Sequence, residues 1–376
     1  DLMKRFSALL LALVMALSLT ACGGASNTDS QPAGDVVYPS YFDGMEDLIA
    51  AAQAEGELVV YGSCEEAYLA AACQHFQELF GIRVTSQSRS ADALTTAAAQ
   101  KGQSADVWFG GSAEWYSLAA EAGLLTPYEA INAAHLTDNA FRSPEGHWYG
   151  ISRTALCFLT DADTLKRMEI DAPADWEDLP SLPYKGLIWL SGYVHDGAGQ
   201  LLLRTSPQLL DGGVSFLAAL DQNVALYAAS DADVIKCSGT GECVIGIGYL
   251  HDGLARIVDD GCDNVQLVLP ASGTALEVEA SAILRSAAHP NAARLWMEYV
   301  LSPECAELAA ENGVYRLPVL DNAALLDGAD ALAAKLDALA CYTPANTQDD
   351  VPALLEELTS ALTATGVDAG SIRFAE

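Results

Sequence analysis

The stretch Glu57-Leu58-Val59-Val60-Tyr61-Gly62-Ser63 is a compact apolar run that ends in a small-residue turn, and a helical pattern follows it at once. From Glu65 to Phe80, the residues Leu69, Ala72, Cys73, Phe76 and Phe80 fall on one face, the 3.6-residue period of a helix. Gly81 supplies the stop. The same order then repeats. Ile82 to Ser86 reads as a strand, Ser90 to Lys101 as a helix, Ala105 to Phe109 as a strand and Ser112 to Ala122 as a helix. Strand–helix–strand order with short links predicts parallel strands in an α/β sheet. Upstream, Asp43-Gly44-Met45-Glu46 opens a short helix ending at Gly56.

A second block runs from about Trp148 to Val268, with strands near 156–159, 186–190, 225–227 and 243–249 and helices between them. A long strand returns from Ala275 to Leu284, and helices follow over 291–301, 303–312, 329–339 and 351–363. The ~320 residues expected to be ordered exceed one comfortable hydrophobic core, so two lobes are predicted.

The N-terminus reads differently. Lys4 and Arg5 precede an uncharged apolar run from Phe6 to Leu19, which closes on Leu19-Thr20-Ala21-Cys22. This is the layout of an export signal, too short to span a bilayer. Its ending resembles the bacterial lipoprotein signal, which implies lipidation of Cys22 and removal of residues 1–21. Residues 22–42, rich in Gly, Ala, Ser, Asn, Asp and Pro, are expected to form a flexible tether.

Acidic residues number 51 against 18 basic ones, a net charge of −33. Nucleic acid and anionic lipid surfaces are thereby poor partners, because both are held by clustered Lys and Arg. Cys157 and Cys243 lie in apolar strands and are expected to be buried thiols, while Cys237 and Cys243 are a possible disulfide pair. No CxxC supports a zinc site, and no GxSxG, GxxxxGK[ST] or HExxH signature of an enzyme occurs.

Four turns share one design, a strand that ends in small residues and opens a helix: Gly62-Ser63, Arg89-Ser90, Gly110-Gly111-Ser112 and Gly197-Ala198-Gly199. Helix N-termini carry unpaired N–H groups, and small residues admit a ligand to them. Ordinary capping by Ser63, Ser90 or Ser112 explains any one turn; four together point to a cleft at the carboxyl ends of the strands. Further on, Ile245-Gly246-Ile247-Gly248-Tyr249 runs into Leu250-His251-Asp252. Asp252 either caps that helix or joins His251 in bonding ligand hydroxyls. Glu277 and Glu279 share a strand face, either as a solvated edge or with Glu277 as a ligand-binding carboxylate. Arg89 and Arg153 are scarce cations that either face the cleft or form ion pairs.

With these pieces the chain resembles a solute-binding lipoprotein of an ABC importer, in the branch that takes ferric iron, phosphonates or hexose phosphates. The resemblance rests on Glu57–Tyr61, Ala105–Ser112, Trp176–Leu179, Tyr184–Gly186, Ile245–Asp252, Leu301–Glu304 and Gly313–Tyr315. It implies an α/β fold of two lobes (the type II periplasmic-binding-protein fold), each a mostly parallel sheet flanked by helices, with a ligand cleft between them. The expected lobes are 43–145 plus 270–318 and 146–269 plus 319–376, with Phe141–Thr154 and Leu267–Ala275 crossing between them.

The resemblance further implies a non-enzymatic protein without cofactor or metal, monomeric, anchored outside the cytoplasmic membrane through Cys22 and delivering its solute to a permease. A small anionic, phosphorylated organic solute is expected, bound by Ser63, Arg89, Ser90, Gly111, Ser112, Arg153, Gly197, Gly199, Tyr249, His251, Asp252 and Glu277. Ferric iron is the alternative, and Leu250 counts against it, since ferric binders of this branch resemble one another in a Tyr-Tyr pair there. A secreted metal-dependent hydrolase using His251, Asp252 and Glu277 is the alternative from another class. Replacing His251 and Asp252 by alanine is expected to abolish binding while barely moving the melting temperature.

Overall fold

Glycine ends the first two helices. Helix α1 (Glu46–Glu55) stops at Gly56 and α2 (Glu66–Phe80) at Gly81, both in the left-handed conformation that a residue without Cβ adopts freely. Around them run β1 (Glu57–Gly62), β2 (Arg83–Ser88), α3 (Ala93–Ala99), β3 (Val107–Ser112), α4 (Ala113–Glu121) and the short β4 (Leu125–Thr126). Strand β1 pairs in parallel with both β2 and β3, as strand–helix–strand order requires. The computed structural model describes residues 37–99 and 105–366, and the described residues from Pro39 onward belong to one compact unit. The expected leader at 1–21, lipidation at Cys22 and the tether as far as residue 36 lie outside the described residues.

The long strand β5 (Tyr149–Asp161) is buried at every residue. After it come α5 (Ala162–Met168), β6 (Ile188–Ser191), α6 (Ala198–Leu209), α7 (Val214–Asp221), β7 (Val224–Ala228), α8 (Asp231–Cys237), β8 (Ile245–Tyr249), α9 (Leu250–Val258) and β9 (Val265–Val268). The chain returns along β10 (Thr274–Leu284) and continues through α10 (Pro290–Val300), α11 (Pro303–Glu311), β11 (Leu317–Pro318), α12 (Asp330–Ala338), β12 (Cys341–Tyr342) and α13 (Val351–Ala364).

One strand order is used twice. The first half of the sheet runs β2-β1-β3-β10-β5, and the second runs β7-β6-β8-β5-β9. In each, the three strands from consecutive units are parallel, and a long antiparallel strand crosses in from the other half. Strand β5 pairs with β10 as far as Ala155, then from Leu156 onward with β8 and β9.

Each half has its own core. One gathers Trp108, Tyr116, Leu125 and Ala282. The other gathers Phe158, Trp176, Leu202 and Ile247, with Leu358 and Leu362 of α13 packed in. The crossing strands begin later than Phe141 and Leu267. In β5 the polar Ser152-Arg153-Thr154 reads as a link in sequence yet lies inside a strand that starts at Tyr149 and pairs with β10 from Tyr149 to Ala155.

The eight described cysteines are all free. The expected Cys237–Cys243 pair is therefore corrected: Cys237 Sγ faces Glu242 at 3.6 Å and Cys243 Sγ accepts from the Ser238 hydroxyl at 3.8 Å. Cys157 and Cys243 are buried. Among the described residues, no helix is long and apolar enough to cross a membrane.

Candidate functional site

Three of the four small-residue turns meet. A Cβ on Gly110 would lie 2.7 Å from Cys64 Cβ, and one on Gly111 would lie 2.7 Å from Ala91 Cβ and 3.0 Å from Ser63 Cβ. Both glycines have φ near +80°, so backbone conformation and close approach each require glycine here. The turns after β1, β2 and β3 thus form one wall in the first half. Ser63 does not cap α2; its Oγ accepts from Trp108 Nε1 at 2.7 Å, and the cap position of α2 is Glu65, whose side chain makes no capping bond. Ser112 does cap α4, through the Glu114 amide at 3.5 Å. Arg89 and Ser90 are exposed on this wall. The Arg89 guanidinium lies 5.0 Å over the Tyr61 ring and donates to Gln87.

The fourth turn stands in the second half, and its amides already have partners. Ala198 N donates to Asp231 Oδ2 at 3.1 Å, and Gly199 N to Ser191 Oγ at 2.9 Å. A Cβ on Gly199 would fall 2.2 Å from the Ser191 carbonyl oxygen, and one on Gly197 would fall 2.5 Å from Asp231. These glycines permit close packing of α6 on β6, and an anion at this helix start would compete with Asp231.

The floor of the site is built by the crossing strands. Glu277 and Glu279 of β10 stand opposite Thr154 and Ser152 of β5, and in a strand alternate residues share a face. They do not form a solvated edge. Glu279 is buried and accepts from Ser152 Oγ at 2.9 Å. Arg316, just before β11, lies 3.4 Å from Glu277 Oε1 and 3.3 Å from Glu279 Oε2. Tyr249, at the end of β8, donates to Glu277 Oε2 at 3.2 Å. His251 Nδ1 pairs with Thr154 Oγ1 at 2.9 Å, and its Nε2 lies 3.5 Å from Asp252 Oδ1. Asp252 does not cap α9: the cap position is Tyr249, and it makes no side-chain bond to the helix start.

Burial sets the charge states. It pushes Glu277 up to about 7, against the pull of Arg316. It likewise pushes Asp252 up to about 6. Desolvation raises Glu279, Asp196 and Asp231 as well. His251 is held well below its usual range by burial and then by Arg316, so it is neutral. The Tyr249 phenol is raised well above its range by burial and by Glu277. The floor is rich in carboxylates, and Arg316, whose side chain is 11% exposed, is the cation that faces them.

Arg153 is on the other side of β5. It alternates with Ser152 and Thr154, bonds Asp337 Oδ1 at 2.5 Å and lies 5.6 Å from the Phe141 ring centre. Its ion-pair reading is the one realised. A cavity of about 380 Å³ opens between α4 and α6, with Ser112, Trp115, Trp148, Asp196, Arg204 and Glu277 among its lining residues. The sequence reading missed Arg316, Thr154, Ser152 and Arg204. A period-two reading of Ser152-Arg153-Thr154 would have sent Arg153 away from the face of its neighbours. The scarcity of cations that singled out Arg89 applies equally to Arg316. Among the described residues, no group of three or more His, Cys, Asp and Glu is placed to hold a metal ion.

Comparison with known proteins agrees with this architecture. The sequence pattern of the bacterial extracellular solute-binding proteins matches residues 102–336. An uncharacterised protein of Haemophilus influenzae is 32% identical over 272 residues, covering 70% of this chain and 78% of its own. Among solved structures, the periplasmic binding protein AfuA from Actinobacillus pleuropneumoniae, with exogenous fructose-6-phosphate bound, superposes with a TM-score of 0.66 at 23% identity, over 82% of this chain and 99% of that one. Iron-bound HitA from Pseudomonas aeruginosa gives a TM-score of 0.65 at 19% identity, over 83% and 99%.

Proposed function

Because the chain belongs to the bacterial extracellular solute-binding protein family, we propose that it captures a small phosphorylated, polyhydroxylated solute between its two lobes. It is the solute-binding component of an ABC importer and hands its cargo to the permease. The observation that carries the ligand reading is the floor cluster, where Tyr249, His251 and Asp252 from the second half meet Glu277 and Arg316 at the crossing strands. Carboxylates and a neutral imidazole accept and donate hydrogen bonds to hydroxyls. We assign the phosphate to the opposite wall, at the three turns carrying Ser63, Arg89, Ser90, Gly111 and Ser112, which the structure brings together. Gly197 and Gly199 are not assigned to it, since the α6 amides are engaged. The fold shared with fructose-6-phosphate-bound AfuA is in keeping with this reading.

Ferric iron fits less well, although the solved HitA is iron-bound. A hard ion needs several anionic oxygens; here burial holds the Glu277 and Asp252 carboxyls toward their protonated forms, the Tyr249 phenol is donated to Glu277, and the next residue, Leu250, is buried. The hydrolase alternative has no support in the metal-ligand geometry above. Our reading of the whole includes anchoring by lipid on Cys22, a monomer, no catalysis, and lobes of 43–145 plus 270–318 and 146–269 plus 319–376, which the two separate cores favour.

A thermal-shift titration with fructose-6-phosphate, fructose, inorganic phosphate and ferric citrate tests the ligand class. The phosphorylated sugar is expected to stabilise by ~2.7 kcal/mol at 100 times its dissociation constant, and to exceed both halves of its own structure. Stabilisation by ferric citrate alone, or turnover of the phosphate ester, would overturn the proposal.

A further inference from the structure

Arg204 lies on α6 in the second half and Glu114 in the first turn of α4 in the first half. Their side chains meet in a two-pronged pair: Nη1 donates to Oε2 at 2.7 Å and Nη2 to Oε1 at 2.8 Å. The Arg204 side chain is 4% exposed and that of Glu114 22%. Both line the cavity between the two helices. Among the described residues, no other arginine–carboxylate pair links a helix of one half to a helix of the other.

Arg204 is fixed from behind. Its Nε donates to Asn346 Oδ1 at 3.1 Å, its Nη2 also reaches the Asn346 carbonyl, and Asn346 Nδ2 returns a bond to the Arg204 carbonyl at 2.8 Å. Ala345 N bonds Gln208 Oε1 at 3.1 Å, so residues 345–346 are strapped to α6. The guanidinium is therefore preset toward α4. On the other side, the N-terminus of α4 favours a carboxylate in its first turn. A planar fork on a carboxylate is among the stronger polar contacts, and a buried arginine deprived of its carboxylate is strongly disfavoured.

We infer that Glu114 and Arg204 form a latch across the cleft that holds the two halves together before any solute arrives. The pair is made only when α4 and α6 face one another as they do here, so it stabilises that closed arrangement over any in which the halves part, and shifts the population toward it. Solute entry and release both require its rupture, and its strength sets how much of the protein rests closed.

The test uses the solute-free protein, so its outcome is independent of which solute fills the cleft and of the ligand class proposed above. Glu114→Gln keeps the shape and removes the charge. It is expected to raise the radius of gyration measured by small-angle X-ray scattering and to increase acrylamide quenching of tryptophan, because Trp115 and Trp148 line the same cavity. Arg204→Lys, which keeps the charge but loses the fork, is expected to shift both readouts in the same direction by a smaller amount. Circular dichroism confirms that each variant is folded. Scattering and quenching unchanged from the parent in folded Glu114→Gln would overturn the latch, as would opening in Arg204→Lys without any in Glu114→Gln.

Discussion

The Tyr249 hydroxyl donates to Glu277 Oε2 at 3.2 Å, and this bond joins the end of β8 in one half to the strand that crosses from the other. The phenol is thereby committed as a donor. Burial and the neighbouring carboxylate both keep its proton in place.

The first expectation concerns colour. A tyrosinate ligand to ferric iron requires that proton to leave. Addition of ferric citrate to the protein is expected to leave its visible spectrum unchanged. A red charge-transfer band that disappears in Tyr249→Phe would contradict this.

A second expectation concerns pH. Glu277 has its folded value near 7, above its ordinary 4.5. Between those values the folded state holds the proton more tightly than the unfolded chain does, so this group costs stability as pH rises through the window. Asp252, Glu279, Asp196 and Asp231 are raised too and act in the same sense. His251 acts oppositely: it stays neutral when folded, so stability falls as pH drops below its ordinary 6.5. Comparing Glu277→Gln with the parent isolates one contribution. The variant should gain relative stability from pH 5 to pH 7.5, by on the order of 2 kcal/mol, in urea unfolding. A difference constant with pH would refute the assignment.

A third separates binding from folding. Alanine at both His251 and Asp252 was expected to leave the melting temperature almost untouched, but His251 is buried and bonded to Thr154. His251→Ala is expected to cost about 1–3 kcal/mol, since it empties space and strands the Thr154 hydroxyl. Asp252→Asn is the cleaner probe. It relieves a carboxylate raised by burial, so stability should hold or rise at neutral pH while affinity for the phosphorylated sugar falls at least tenfold in calorimetry.

A fourth concerns packing. Gly199→Ala would drive a Cβ to 2.2 Å from the Ser191 carbonyl oxygen. The start of α6 must shift, at a cost above ~2 kcal/mol. Denaturant unfolding reads this directly, and a loss under 0.5 kcal/mol would show that the contact relaxes.

Much of the scaffold was legible because periodicity is local. Leu69, Ala72, Cys73, Phe76 and Phe80 mark one helix face, and all five are buried. The convergence of the turns at Ser63, Ala91 and Gly111 also followed from strand order. What escaped was decided by long-range partners. Nothing near Arg316 announces Glu277, 39 residues away, and nothing near Arg204 announces Glu114, 90 residues away. Arg153 went astray because its charge outweighed its parity, and parity sets the face in a strand. The amides of α6 looked free in sequence because Asp231, which takes the Ala198 amide, lies beyond an intervening strand, and Ser191, which takes that of Gly199, lies at the end of β6.

Strand β5 belongs to two ladders, exchanging hydrogen bonds with β10 up to Ala155 and with β8 and β9 from Leu156. Neither half owns a complete set of backbone partners without it. To cut the chain at this point would strip an inner strand from both sheets at once, so the two halves share their fate on unfolding although each keeps a separate apolar interior.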